Sequence, residues 1–360
     1  MRIPKQELGE NFEMKQNIAH MIFDGPTKFA PESDQSFFGH GKLLLSGEYF
    51  VLDGAKALAL PTSVGQSMSV KYSNSYDPYL YWKSYDVKGE IWFETKFEFW
   101  RFNFVQNDAP SAEELILQKI LRQARVQNNH FLRDDMDVTV ETNLGFPLEW
   151  GLGTSSTLIY NMAQWAYISP FQLLFKTYGG SGYDIACAQS EGPIVYTRQS
   201  NGPSWATLPF DPSFKSQLYF VYLGNKQSSQ AAITNYKALG PFSSELIQTV
   251  SHLTDQMIAA PTLDSFAEIM CAHEDLVAEN LNMKKVKDLY FSDYWGEVKS
   301  LGAWGGDFVL VTSNKSKSET RKYFLKKGLE VFIPYTKLIL ENSDRQIMAQ
   351  PGQIEFANVH

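Results

Sequence analysis

Cysteine is nearly absent: Cys187 and Cys271 are the only two in a chain of 360 residues. So small a supply excludes a disulfide framework and fits a reducing compartment, with both thiols expected as small buried groups. Long apolar runs are missing too. Nowhere do about 18 consecutive apolar residues occur, the least that a membrane-spanning helix needs. The N-terminal leader, residues 1–36, mixes Lys, Glu, Gln and Asn and lacks the unbroken apolar core of an export signal. The expectation is a cytoplasmic protein with no membrane partner. Positive charge is not in excess either, since 32 basic against 40 acidic side chains leave a net charge of -8. That balance gives no general attraction to nucleic acid. No internal repeat and no low-complexity segment is present.

What is there is enough for a core: 44% of the residues are hydrophobic, and 360 residues exceed one typical domain. Leu43 to Leu45 and Ala57 to Leu60 read as short buried strands among glycines. Ile91, Phe93, Phe97 and Phe99 alternate with charged residues, the period of a half-buried strand. Ser111 to Val126 has helical spacing, and Val138, Val140 and Thr142 alternate again. Between Gly145 and Gly192, glycine, serine and threonine surround a helical run from about Ser155 to Tyr167, the pattern of a loop feeding a helix. Beyond a strand at Leu218 to Leu223 come two amphipathic helices. One carries Leu246, Val250, Leu253 and Met257; the other carries Phe266, Met270, His273 and Val277, with Thr262 as its N-cap. A strand at Phe308 to Thr312, a helix around Glu319 to Lys327 and a strand at Glu330 to Ile333 close the pattern. The succession predicts an α+β protein of two domains, residues 37–210 with a mixed sheet and residues 211–360 with a smaller α/β layer unit.

The segment Pro147-Leu-Glu-Trp-Gly-Leu-Gly-Thr-Ser-Ser-Thr157 lies between a strand and a helix. Gly151 and Gly153 let the backbone come close to a ligand, and the helix start behind them leaves amides unpaired. A polyphosphate suits that position, with Ser155 as a ligand for the accompanying magnesium. An ordinary N-capped helix after a turn fits the same residues. No lysine follows the glycines, so this is not the Walker pattern. His273-Glu274 lacks a second histidine one turn on and reads as a helix face rather than a metal site. Lys284, Lys285 and Lys287 read as a solvated basic spot.

Three segments resemble the three motifs of the GHMP kinases, the superfamily of galactokinase, homoserine kinase, mevalonate kinase and phosphomevalonate kinase. They are Gly41-Lys-Leu-Leu-Leu-Ser-Gly-Glu-Tyr49, Pro147 to Thr157, and Gly302-Ala-Trp-Gly-Gly-Asp307. A fourth stretch, Gly180-Ser-Gly-Tyr-Asp-Ile-Ala186, resembles the segment that carries the catalytic aspartate. The resemblance implies a two-domain GHMP fold with a ferredoxin-like C-terminal unit, ATP and Mg2+ as cofactors, and a small acceptor, mevalonate or phosphomevalonate. It implies Asp184 as the base and Lys42 beside it, stabilising charge and keeping Asp184 ionised. Gly151, Leu152, Gly153, Thr154, Ser155 and Ser156 would hold the nucleotide phosphates, with Ser155 on the metal. Glu48, Gly182, Gly302, Gly305 and Gly306 would border the acceptor, with a plain salt bridge equally open for Glu48. The run from Gly224 to Ser229 would approach the nucleotide.

The sequence departs from that pattern in three places. Trp304 and Trp150 stand where small residues are usual, which predicts a pocket narrowed by indole rings. No acidic residue occurs from Thr157 to Tyr183, so the metal is expected to rely on Ser155, Asp184, phosphates and water. That stretch is also short, which predicts a truncated helix. An alcohol acceptor profits from a base and a phosphate does not, which favours mevalonate. Phosphomevalonate kinase, a decarboxylase on a related fold, and a non-catalytic ATP-binding homologue remain as alternatives.

Overall fold

The computed structural model describes residues 22–23, 27–30, 32–105, 109–224, 229–302, 304 and 307–341. The first sheet contains β1 Gln35–Ser46, β2 Ala57–Asn74, β3 Tyr79–Tyr85, β4 Ile91–Glu98, β5 Met136–Leu144, β6 Ile194–Gln199 and β7 Gly202–Thr207. The order is β4-β3-β5-β2-β6-β7, with β1 paired to β2 off that path. β3 and β5 run parallel while the other pairs run antiparallel, so the sheet is mixed. Four helices accompany it: α1 Ala112–Gln127, α2 Thr154–Ala166, α3 Pro170–Thr177 and α4 Tyr183–Ala188. Of these, α3 and α4 are short, with 8 and 6 residues.

After β7 the chain forms β8 Leu218–Tyr222, α5 Ser229–Ala238, α6 Ser244–Ala259, α7 Leu263–Leu281, α8 Val286–Tyr290, β9 Val298–Ser300, β10 Phe308–Thr312, α9 Lys317–Lys326, β11 Phe332–Pro334 and α10 Tyr335–Leu338. The second sheet has the order β11-β8-β10-β9, antiparallel throughout. This is the βαββαβ arrangement of a ferredoxin-like unit, and the α+β class expected from the sequence holds.

Local chemistry accounts for the element ends. Ser111 and Glu114 close a capping box on α1, and Thr262 and Ser265 close one on α7. The strands at Leu43 and Ala57 extend much further than their apolar cores suggested. β2 runs 18 residues because its polar members are satisfied by partners: the Asn161 Nδ2 donates to the Gln66 carbonyl at 2.9 Å, and the Ala30 N–H donates to Ser69 Oγ at 3.0 Å. Ile22 is buried and β1 begins at Gln35, so the end of the predicted leader is part of the fold.

One apolar cluster joins the two sheets. Leu43, Leu58 and Leu60 from the first pack with Phe220, Leu310 and Ile333 from the second, and Met257 and Phe266 close it from α6 and α7. Burying each such side chain contributes roughly 1.5–3 kcal/mol. Segments from both sheets therefore meet at fixed neighbours along their junction.

Candidate active site

The phosphate-loop segment leaves β5 through a short 3-10 turn, Leu148–Trp150, and enters α2. Gly151 has φ 65 and Gly153 φ 100, a backbone region costly for any residue with a Cβ. Space is closed as well: a Cβ on Gly151 would lie 2.0 Å from Asp307 Oδ2, and one on Gly153 would lie 2.6 Å from Ser156 Oγ. Gly153 is the N-cap of α2 and provides no side-chain cap. The first-turn amides, at the positive end of the helix, are thus left for an anion.

The hydroxyls of this turn divide. Ser155 is exposed, and the Tyr178 hydroxyl that bonds to it is raised by burial and by the field of Glu113. The Ser156 side chain is buried and its Oγ donates back to the Gly153 carbonyl at 2.8 Å, which leaves its backbone amide facing the turn. The Leu152 side chain belongs to the shared core, and its carbonyl accepts the Lys42 N–H at 2.8 Å.

Lys42 reaches this loop through an irregularity in β1. The register with β2 shifts between His40 and Lys42, at Gly41, where a Cβ would meet Thr62 Oγ1 at 2.5 Å. The shift turns the Lys42 backbone from β2 toward Leu152. Its ammonium donates to the Gly151 carbonyl at 3.0 Å and lies 5.8 Å from the Tyr183 ring centroid. Tyr183 and Asp184 open α4, whose N-cap Gly182 has φ 96 and sits against Phe171 and the Tyr196 hydroxyl. That hydroxyl donates to the Ser181 carbonyl at 2.5 Å and anchors the turn.

The electrostatics differ in one respect from expectation. Burial raises the Asp184 carboxyl, and Lys42 together with the Asp184 and Ile185 amides opposes that without cancelling it. Lys42 therefore moderates this carboxyl and does not hold it at an ordinary carboxylate value. Burial pulls the Lys42 ammonium down, but Tyr183, Asp184 and Asp307 together outweigh it and the net shift is upward. Tyr183, pushed up to about 12 chiefly by burial, is neutral at neutral pH. The carboxyl neighbours of Lys42 are thus Asp184 and Asp307. Sequence reasoning quoted Asp307 at the end of the third motif and weighed only the glycines before it.

Glu48 takes the salt bridge that the sequence left open. It lies 1% exposed, bonded through Oε1 to Lys299 Nζ at 2.5 Å. Its Oε2 is 3.4 Å from His273 Nε2, and Lys299 also bonds Glu274 at 3.2 Å. The salt bridge, not the acceptor, occupies this carboxylate. Both tryptophans are buried among core residues. Trp150 packs edge-on against Phe308, centroids 5.4 Å apart. Trp304 clusters with Phe50, Tyr236 and Val277 and donates its indole N–H to the Lys284 carbonyl at 3.0 Å. Gly302 has φ 67 and open space beside it. Gly305, Gly306 and residues 225–228 lie outside the described residues, which leaves Gly224 alone of most of that run. In the basic spot, Lys285 pairs with Asp275 at 2.6 Å and Lys287 with Glu297 at 2.8 Å.

No protein-family model matches the chain, and no curated sequence matches it. Solved structures do. Mevalonate kinase from Methanococcus jannaschii shares 12% identity with a TM-score of 0.63, over 84% of this chain and 98% of that one. L. major mevalonate kinase, solved with R-mevalonate, shares 17% with a TM-score of 0.57, over 84% and 94%. Streptococcus pneumoniae phosphomevalonate kinase, solved with phosphomevalonate and AMPPNP, shares 16% with a TM-score of 0.60, over 82% and 98%. The chain has the fold of the GHMP kinases.

Proposed function

We propose that this protein is an ATP-dependent small-molecule kinase that transfers the γ-phosphoryl group to a hydroxyl, with mevalonate as acceptor. The observation that carries this is one juxtaposition: an uncapped helix start at Gly153, with Lys42 bonded to the Gly151 carbonyl and within the field of Asp184. The first-turn amides of α2 would hold the phosphates. The transition state of phosphoryl transfer is loose, so positioning and charge stabilisation supply most of the rate. Asp184, with its raised carboxyl, would take the proton of the acceptor hydroxyl, and the Lys42 ammonium would stabilise negative charge on the transferred group. Mg2+, a hard cation that favours oxygen donors, fits the exposed Ser155 hydroxyl and the Asp184 carboxylate together with phosphate oxygens and water; when bound it neutralises phosphate charge.

The acceptor preference follows from local charge. Two carboxylates face one ammonium at Lys42, a setting that disfavours a doubly charged phosphate as the attacking group and accommodates a neutral hydroxyl. Similarity to the mevalonate and phosphomevalonate kinases supports this choice of candidates. Residues 37–210 would supply the nucleotide side and residues 211–360 the third loop. Purified protein incubated with ATP, Mg2+ and, separately, mevalonate, phosphomevalonate, galactose and homoserine tests the assignment. Mevalonate-dependent ADP formation is expected. ADP release that no acceptor stimulates overturns the kinase assignment, and carbon dioxide release from diphosphomevalonate points to the decarboxylase.

A further inference from the structure

We infer that Glu48 is a positioning residue which, with Lys299, fixes the third glycine-containing segment against the phosphate loop, and that it does not contact the acceptor. What is positioned rests on the kinase reading above; the grip itself rests on geometry. Lys299 Nζ has three N–H groups and three partners: Glu48 Oε1 at 2.5 Å, Glu274 Oε1 at 3.2 Å and the Ser300 carbonyl at 3.2 Å. The second oxygen of Glu274 accepts the Ser300 N–H at 3.2 Å. Glu48 Oε2 lies 3.4 Å from His273 Nε2 without a hydrogen bond to it, because that nitrogen accepts the Gly47 N–H at 3.0 Å. Glu48, Glu274, His273 and Lys299 are all buried, so neither oxygen of Glu48 is turned to a ligand.

These bonds join three segments. Glu48 follows β1 in the first motif, His273 and Glu274 lie on α7, and Lys299 lies in β9, which leads into Gly302. The residue after Glu48 adds a second grip: the Tyr49 hydroxyl accepts the Trp304 N–H at 3.0 Å. Tyr49 has φ 62, a strained backbone for a residue with a side chain, kept only where neighbours over-determine it. At its far end the third segment returns to the phosphate loop, where the Leu223 N–H donates to the Asp307 carbonyl at 2.8 Å and the Asp307 carboxylate lies against Gly151.

The charges show which variant to use. Lys299→Met would strand two buried carboxylates and is the variant most apt to misfold. Glu48→Gln keeps shape and leaves Lys299 paired with Glu274, one charge to one. Tyr49→Phe removes only the acceptor of the Trp304 N–H. Both are measured by hydrogen exchange of the peptides covering residues 298–312 and by steady-state kinetics on the full chain. In Glu48→Gln, exchange in those peptides is expected to rise about tenfold and kcat to fall about tenfold, with acceptor KM within about twofold. Tyr49→Phe should give the same pattern more weakly, and the double variant should lose less than the two singles multiplied. A tenfold rise in acceptor KM with unchanged exchange would place Glu48 on the acceptor and overturn the inference, as would no change in either measurement. Should the wild type turn over no acceptor, the kinase assignment fails, while the exchange data still decide whether Glu48 holds the segment.

Discussion

Lys42 and Lys299 each stand among carboxylates delivered by separate segments: Asp184 and Asp307 around the first, Glu48 and Glu274 around the second. Their donors are used differently. Lys299 is fully buried and spends all three N–H groups on protein acceptors. Lys42 is half-buried, bonds the Gly151 carbonyl, lies near the Tyr183 ring, and keeps donor capacity beside an uncapped helix start. Saturation of the hydrogen-bonding groups, more than the kinds of residue present, separates a strut from a reactive site.

The sharpest way to break this contrast is to remove the base on the Lys42 side. Asp184→Asn is expected to lower the transfer rate by about 10²–10⁴ with nucleotide KM within about twofold. Because burial raises the Asp184 carboxyl, the acid limb of the kcat/KM profile should lie above ordinary carboxylate values and vanish in the variant. A variant that keeps its rate and its acid limb would remove Asp184 from the reaction.

Next in size is the strut. Lys299→Met should cost about 3–5 kcal/mol of stability, read from urea unfolding, since it leaves Glu48 and Glu274 buried without a cation. Lys42→Met should abolish activity and cost less stability than Lys299→Met, because Lys42, Asp184 and Asp307 are partly buried where Lys299, Glu48 and Glu274 are fully buried. Equal losses of stability would erase the distinction.

A smaller effect comes from the surplus charge of the strut. Glu274 is raised to about 7, first by burial, with Lys299 opposing and Glu48 adding. A carboxyl raised above its unfolded value stabilises the fold below the unfolded pKa, and that contribution is lost as pH rises through the folded pKa. Glu48 is raised and acts with the same sign, while His273 is held well below its ordinary value by burial and Lys299 and acts oppositely. Glu274→Gln isolates one term. Its stability relative to wild type should improve between pH 5 and 8 by on the order of 2–3 kcal/mol. A pH-independent difference would show that Glu274 does not titrate there.

Much of the scaffold was legible because its signals are local. The helix from Ser111 announced itself by apolar spacing, that after Thr262 by spacing and its cap, and β4 by alternation. β3, β6 and β7 escaped notice, and β2 was cut short, because their polar residues are satisfied across the sheet or by α2, as in the Thr157 bond to Gln66 at 2.8 Å. The tight turn before α2 was legible from Gly151 and Gly153, whose conformations only glycine adopts freely. Asp307 was not, since its place is defined by the distant Gly151. His273 and Glu274 carried a usable signal: they continue the stripe of Phe266, Met270 and Val277, which buries them on the inner face of α7.

Trp304 gives the smallest expected effect and separates two roles of the third segment. Its indole packs on Phe50 and Tyr236 and bonds the Lys284 carbonyl, whereas its backbone N–H bonds Tyr49. Trp304→Phe deletes the first bond and part of the ring but keeps the second. A loss of roughly 1–2 kcal/mol in urea unfolding is expected, with acceptor KM unchanged within about twofold. An indole that capped the acceptor would behave in the opposite way, shifting KM while leaving stability alone. Because the backbone tether survives, exchange around residue 304 should also stay near wild type, unlike in Tyr49→Phe. The pair of variants thus tells a core tryptophan from a lid, and a tether through the main chain from one through the ring.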